Sequence, residues 1–241
     1  MLTLYQFPIS HFCEKVRWAL DYKKLNYRVK NLLPGLHMSK AKKLTGSSAL
    51  PILVDNGKAI QNSSSIISYL DVQFPQNTLT PSDEEQKQAV LAWETFLDED
   101  VGIPVRLIIY HVMLEHPSVV IPFYTHQGPW YGNWVMKAVF PRVSKAMREM
   151  MNINSATALI AQQKLAQAID KIHQQLTNTP FLVGDRFTRA DLTAAALLAP
   201  LCKRQEYGLN WPQRFPESLE TIVNGYAEKI QWVHTLYDQY R

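Results

Sequence analysis

Ser10 and Cys13 lie in the stretch Ser10-His11-Phe12-Cys13, at the corner between a strand-like run, Leu2 to Phe7, and a helix-like run from about His11 to Lys24. Such a corner gathers unpaired backbone N–H groups and the positive end of a helix dipole, so it attracts an anion, a thiolate included. Ser10 occupies an N-cap position, and a hydroxyl there is also free to donate to a bound sulfur. Cys13 supports two readings. It is either a structural thiol packed against its helix, as free cysteines commonly are, or a thiol acidified by the helix start and competent for redox chemistry. Tyr5 offers a rival hydroxyl, but it belongs to the strand and reads as a packed aromatic.

Other chemistries find little support. His111 and His116 are five residues apart, ~140° around a helix, so they do not share a face, and the other histidines are isolated. Cys13 and Cys202 make neither a metal spacing nor a disulfide framework. The balance of 25 Lys+Arg against 21 Asp+Glu gives a net charge of +4. The basic residues are scattered, with Lys40, Lys42 and Lys43 the tightest group, and no nucleic-acid reader motif accompanies them. The small positive excess suits anionic small molecules. No run of eighteen apolar residues spans a membrane, and the chain opens into Leu2-Thr3-Leu4 without a secretory pattern, so a reducing cytoplasm is expected.

The elements that must position the Ser10 corner follow from periodicity. Asn26 to Leu33 reads as a second strand, and a short helix is expected near Ser39 to Leu44 after Pro34-Gly35. Leu50 to Val54 and Ala59-Ile60 flank Asn56-Gly57, a hairpin signal because a type I′ turn needs positive φ at both central positions. Ser63 is expected to cap a helix through Ile66, Ile67, Tyr69 and Leu70. The order is β-α-β-α-β-β-α over residues 1–75. A polar linker covers 76–84, and helical sequence fills 85–241. Ser82 to Glu85 has capping-box spacing, Pro104 is expected to kink or break the helix that follows, and Thr188 to Asp191 forms a second box flanked by Phe187 and Leu192. Tyr110 to Trp134 is rich in aromatics. They would line an apolar pocket, or equally fill core or subunit contacts.

Several of these segments together resemble a family. Tyr5 through Arg17 resembles the opening of the serine-type cytosolic glutathione transferases, the theta and tau classes among them, with Ser-x-x-Cys where glutaredoxins carry Cys-x-x-Cys. Leu50-Pro51 resembles the family's apolar residue with cis-Pro, and Asn62-Ser63-Ser64-Ser65-Ile66 with Tyr69-Leu70 its Glu/Gln-Ser-x-Ala-Ile-x-x-Tyr-Leu signature. Gly35 to Ser39 resembles a Gly-x-His-x-Ser stretch of theta-type members, and Gly184-Asp185 with Thr188 to Asp191 the capping motif of a core helix. The resemblance implies an α/β plus all-α chain: a thioredoxin-like domain (βαβαββα) followed by an all-helical domain, in a homodimer.

It also implies roles. Glutathione would be the co-substrate, its thiolate stabilised by Ser10 and its cysteinyl moiety paired with the backbone of Leu50 beside cis-Pro51. Its γ-glutamyl carboxylate would be held by Ser63 with Asn62, and its glycine carboxylate approached by His37. Asn62 replaces the family's Glu or Gln, a shorter arm, and Ala49 stands where many members carry Lys or Gln. An ordinary thiol with pKa ~8.5 is only ~3% ionised at pH 7, and lowering that value by ~2 gives ~25-fold more thiolate at ~2.7 kcal/mol. A hydrogen bond to a charged partner supplies ~1.5–3 kcal/mol and the helix terminus ~0.3–1, so no metal is needed. The expected activity is detoxifying conjugation of hydrophobic electrophiles, or peroxide reduction. The alternatives are a non-catalytic binding module and a thiol-disulfide oxidoreductase using Cys13.

Overall fold

A computed structural model describes Met1–Arg241. β1 (Leu2–Gln6) pairs in parallel with β2 (Tyr27–Asn31) and antiparallel with β3 (Ile52–Asp55), which pairs antiparallel with β4 (Lys58–Gln61). The sheet order is β2-β1-β3-β4. Leu4 and Leu53 sit opposite each other and are fully buried, which fixes the register, since a slip by one residue would turn both outward. Asn56 (φ 46°) and Gly57 (φ 88°) both take positive φ at the β3–β4 turn, as the hairpin signal requires. α1 (His11–Tyr22), α2 (His37–Thr45) and α3 (Ser63–Gln73) complete the expected βαβαββα order.

Helices make up the rest: α4 (Glu84–Leu97), α5 (Ile103–Met113), α6 (Pro117–Thr125), α7 (Gly132–Met150), α8 (Ser155–Asn178), α9 (Arg189–Cys202), α10 (Glu217–Tyr226) and α11 (Trp232–Tyr240). No helix is long and apolar enough to cross a membrane. α9 is the central post, with every residue from Arg189 to Leu201 buried, and it packs against α1, α4 and α11. Its start is the expected capping box. Thr188 Oγ1 accepts from the Ala190 N–H (3.2 Å), and Asp191 accepts from the N–H groups of Thr188 (2.9 Å) and Leu182 (2.7 Å). Phe187 and Leu192 are buried beside it.

Three expected cap and break positions differ in detail. Asn62 caps α3, accepting from the N–H groups of Ser64 (2.9 Å) and Ser65 (3.3 Å), and Ser63 becomes the first helical residue. Asp83 rather than Ser82 caps α4, accepting from Gln86 N–H. Around Pro104 the helix passes through a π-turn, Asp98–Gly102, where the Ile103 N–H reaches Asp98 O. Pro104 therefore falls in the first turn of α5, where its missing donor is not needed.

Buried charges join the sheet-bearing unit to the helices. Lys15 on α1 pairs with Glu94 (2.8 Å) and Asp98 (2.9 Å) and donates to Ser64 Oγ (3.0 Å). Arg189 on α9 pairs with the same Glu94 (2.7 Å) and donates to Ser64 O (2.8 Å). The α6–α7 hairpin reaches back over the β2–α2 connection. Asn31 Nδ2 donates to His126 O (3.2 Å), and Gly132 approaches Leu33 so closely that a Cβ would sit 3.4 Å from Leu33 Cδ2.

Candidate functional site

Ser10 ends the extended backbone after β1 (φ −77°, ψ 121°) and its Oγ accepts from the Cys13 N–H at 3.4 Å, a long cap that leaves the hydroxyl proton available. Cys13 is fully buried beneath it, and burial raises its thiol pKa against the opposing pull of Ser10 and Arg17. A protonated, inaccessible thiol does not carry out exchange, so the oxidoreductase reading of Cys13 finds no support here. His11 turns inward and its Nε2 meets Gly102 O at 2.9 Å. Burial first, then the charge of Arg106, lower its pKa to about 3 against the Gly102 carbonyl, so the ring is neutral. The π-turn presses on the same corner: a Cβ on Gly102 would lie 2.6 Å from Phe12 Cζ, so only glycine fits.

Two cavities flank the corner. The larger, about 420 Å³, is lined by Leu50, Pro51, Gln61, Asn62 and Ser63 from the sheet side, and by Asp98, Glu99, Ile103 and Arg106 from the helical side. The Leu50–Pro51 peptide is cis, and neither the N–H nor the C=O of Leu50 is hydrogen-bonded within the chain. Gln61 Nε2 donates to Ala49 O (2.6 Å) and the Asn62 N–H to Pro51 O (3.3 Å), tying the rim together. Asn62 sits at φ 78°, ψ 131°, a left-handed conformation that costs a non-glycine residue roughly 1–3 kcal/mol and recurs at ligand sites. Its carboxamide occupies the N–H groups of Ser64 and Ser65, which leaves the Ser63 end of the helix for an outside anion.

The smaller cavity, about 30 Å³, holds Ser10, His11, Arg106 and Tyr110 in an apolar wall that includes Phe123 and Trp211. Burial pushes the Tyr110 hydroxyl up to about 12, so it stays protonated. Arg106 lines both cavities. Burial pulls its pKa below the ordinary arginine value, with only Tyr110 opposing.

The structure brings Ser10, Leu50, Pro51, Asn62 and Ser63 to this cleft. It does not bring His37, which packs edge-on against Phe7 (4.7 Å between ring centres) and lines neither cavity. Of the aromatic stretch, Tyr110 and Phe123 reach the smaller cavity and Tyr124 is buried, whereas Trp130 (90% exposed) and Trp134 (79% exposed) point to solvent. Periodicity did not find Asp98, Glu99, Arg106, Trp211 or Phe215. The first three recur at helical spacing with Tyr110 and Met113, but the π-turn between them shifts the phase.

The family model for the glutathione S-transferase N-terminal domain matches residues 4–78, and that for the C-terminal domain matches residues 129–217. Glutathione S-transferase Z2 of Arabidopsis thaliana is 38% identical over 89 residues, 36% of this chain and 40% of the plant protein. The chain thus spans about two fifths of the length of that relative. Among solved structures, a glutathione S-transferase from Rhodospirillum rubrum F11 superposes with TM-score 0.67 at 16% identity, over 99% of this chain and 89% of that one. Another from Methylobacillus flagellatus, with glutathione bound, gives TM-score 0.59 at 20% identity, over 97% and 98%.

Proposed function

Starting from a chain that belongs to the glutathione S-transferase family, we propose that it activates the glutathione thiol as a thiolate at Ser10 and transfers it to an electrophile. One observation carries this reading: the larger cavity, beside the Ser10 corner, presents complementary groups for a zwitterionic tripeptide. The γ-glutamyl carboxylate meets the N-terminal end of α3 at Ser63, where the helix dipole favours an anion. Its ammonium faces Asp98 and Glu99, and the cysteinyl amide pairs with the unoccupied N–H and C=O of Leu50. The sulfur then lies at the start of α1. His37, behind Phe7, receives no part in holding the glycine carboxylate.

In the reaction the thiolate forms a C–S bond to the electrophilic carbon, which loses a leaving group with its electron pair or accepts the addition. Ser10 supplies a charge-assisted hydrogen bond and the α1 terminus its dipole, which together cover the ~2.7 kcal/mol that a pKa lowered by ~2 demands. Asn62 gives a second reading its footing. By taking the Ser64 and Ser65 N–H groups it lowers the number of donors for the γ-glutamyl end, as a module that binds weakly and does not catalyse would.

A pH titration of thiolate absorbance in the glutathione complex separates the two. The transferase reading expects a bound thiol pKa well below ~8.5, restored toward that value in Ser10→Ala. No binding, or an unshifted thiol in both proteins, favours the non-catalytic module. A homodimer, as the sequence resemblance implies, is checked by sedimentation.

A further inference from the structure

We infer that Arg106 makes this site select electrophiles that carry a carboxylate, by presenting an unpaired guanidinium where the two cavities meet. The inference rests on the transferase reading and adds to it a substrate class.

Arg106 is the only side chain apart from the acidic pair that carries charge in either cavity, and the only charged one in the smaller. The other titratable groups around the smaller cavity are uncharged at neutral pH: His11 is a neutral imidazole and Tyr110 a protonated phenol. Of the two carboxylates in the larger cavity, Asp98 is already committed to Lys15 at 2.9 Å, and Glu99 is exposed to solvent. Opposite Arg106 stand Ile9, Met113, Phe123 and Trp211, which offer it nothing to hydrogen-bond.

A cation held without a partner against an apolar wall is costly unless an anion arrives, so the arrangement favours a negatively charged occupant. The planar guanidinium presents paired donors that match the two oxygens of a carboxylate. The enclosed room of about 30 Å³ fits a group of that size, roughly two water-sized atoms, and leaves the body of the electrophile at the mouth toward the larger cavity.

The test compares 4-chloro-3-nitrobenzoate with the neutral 4-chloro-3-nitrobenzamide at saturating glutathione. In each, the thiolate attacks the ring carbon, a C–S bond forms, and chloride leaves with the electron pair of the C–Cl bond. The readout is the ratio of kcat/KM for the carboxylate to that for the amide. Arg106→Gln is expected to lower that ratio roughly 10- to 100-fold through KM, the range of a charge-assisted hydrogen bond, with Arg106→Lys in between. A ratio within about threefold of the original overturns the inference. So does a raised thiol pKa of bound glutathione in Arg106→Gln with the ratio unchanged, which would assign Arg106 to the thiolate. Calorimetric binding of the two probes, with S-methylglutathione present, gives the same comparison without turnover. If S-methylglutathione does not bind, the transferase reading fails by itself, and the carboxylate preference of the cavity is then read from the probes alone. Equal binding of the two probes overturns it.

Discussion

Glu94 is a single carboxylate shared by two buried cations, and replacing it with Gln removes the charge while keeping the shape. Its oxygens lie 2.8 Å from Lys15 Nζ and 2.7 Å from Arg189 Nη2, and the Lys15 and Arg189 side chains are 0% and 2% exposed. After Glu94→Gln, Lys15 retains Asp98 at 2.9 Å. Arg189 retains only neutral acceptors: Ser64 O (2.8 Å), Ser68 Oγ (2.9 Å) and Thr80 Oγ1 (3.3 Å). One buried guanidinium is left without a counter-charge, which costs about 3–5 kcal/mol. In a chain of this length that is a fall in Tm of roughly 6–20 °C. Urea unfolding at pH 7 should show the midpoint falling with the slope unchanged.

The pH dependence adds a sign. Burial alone would raise the Glu94 pKa, but Lys15 and Arg189 outweigh it and hold the carboxyl below its ordinary value. A folded pKa below the unfolded one gives stability that is complete above about 4.5 and lost as pH falls through the folded value. The gap between the original protein and Glu94→Gln should therefore narrow only in acid. A loss under about 1 kcal/mol at pH 7, or a gap constant down to pH 3, refutes the reasoning.

Other outcomes follow from single residues. His11, with a folded pKa of about 3 against 6.5 unfolded, binds fewer protons folded than unfolded between those values. Stability should fall by up to ~1.4 kcal/mol per pH unit on acidification below about 6.5, and His11→Gln should flatten that slope in urea titrations. Asn62→Ala loses the α3 cap while keeping the strained backbone, so it should cost about 1–2 kcal/mol, whereas Asn62→Gly should stay within a few tenths of the original. Asp191→Ala strips the start of the buried α9 of its bonds to Thr188 and Leu182 and should cost about 2–4 kcal/mol, read by thermal unfolding. Thiol titration of the native protein should find Cys13 unreactive and Cys202, pushed up to about 12 by burial, slow, with both reacting once urea is added.

The element order was legible because each signal was local. Alternation marked β1, Asn56-Gly57 marked the hairpin, and Thr188 to Asp191 marked the start of α9. The cap of α3 was misplaced by one residue, since Asn62 and Ser63 are both good caps and only the backbone at φ 78° decides between them. His37 was misjudged because a motif does not state that Phe7 stands in front of it. Arg106, Trp211 and Phe215 could not be found from spacing. They converge on Ser10 from α5 and from the segment after α9, far along the chain, through packing that no local pattern encodes.

The π-turn at Asp98–Gly102 gives the length of this segment, apart from its composition, a hold on specificity. A π-turn absorbs one residue that an α-helix has no place for, and one residue corresponds to ~100° of rotation. Deleting a residue there would leave a continuous helix, with Glu94 still facing Lys15 and no side chain of α5 altered. Yet Arg106, Tyr110 and Met113 would turn about a quarter of the way around the axis, and different residues would face the cavity. A lineage carrying this fold could thus change the molecules it accepts through a three-nucleotide deletion, keeping every cavity residue in the gene while moving it out of the cavity.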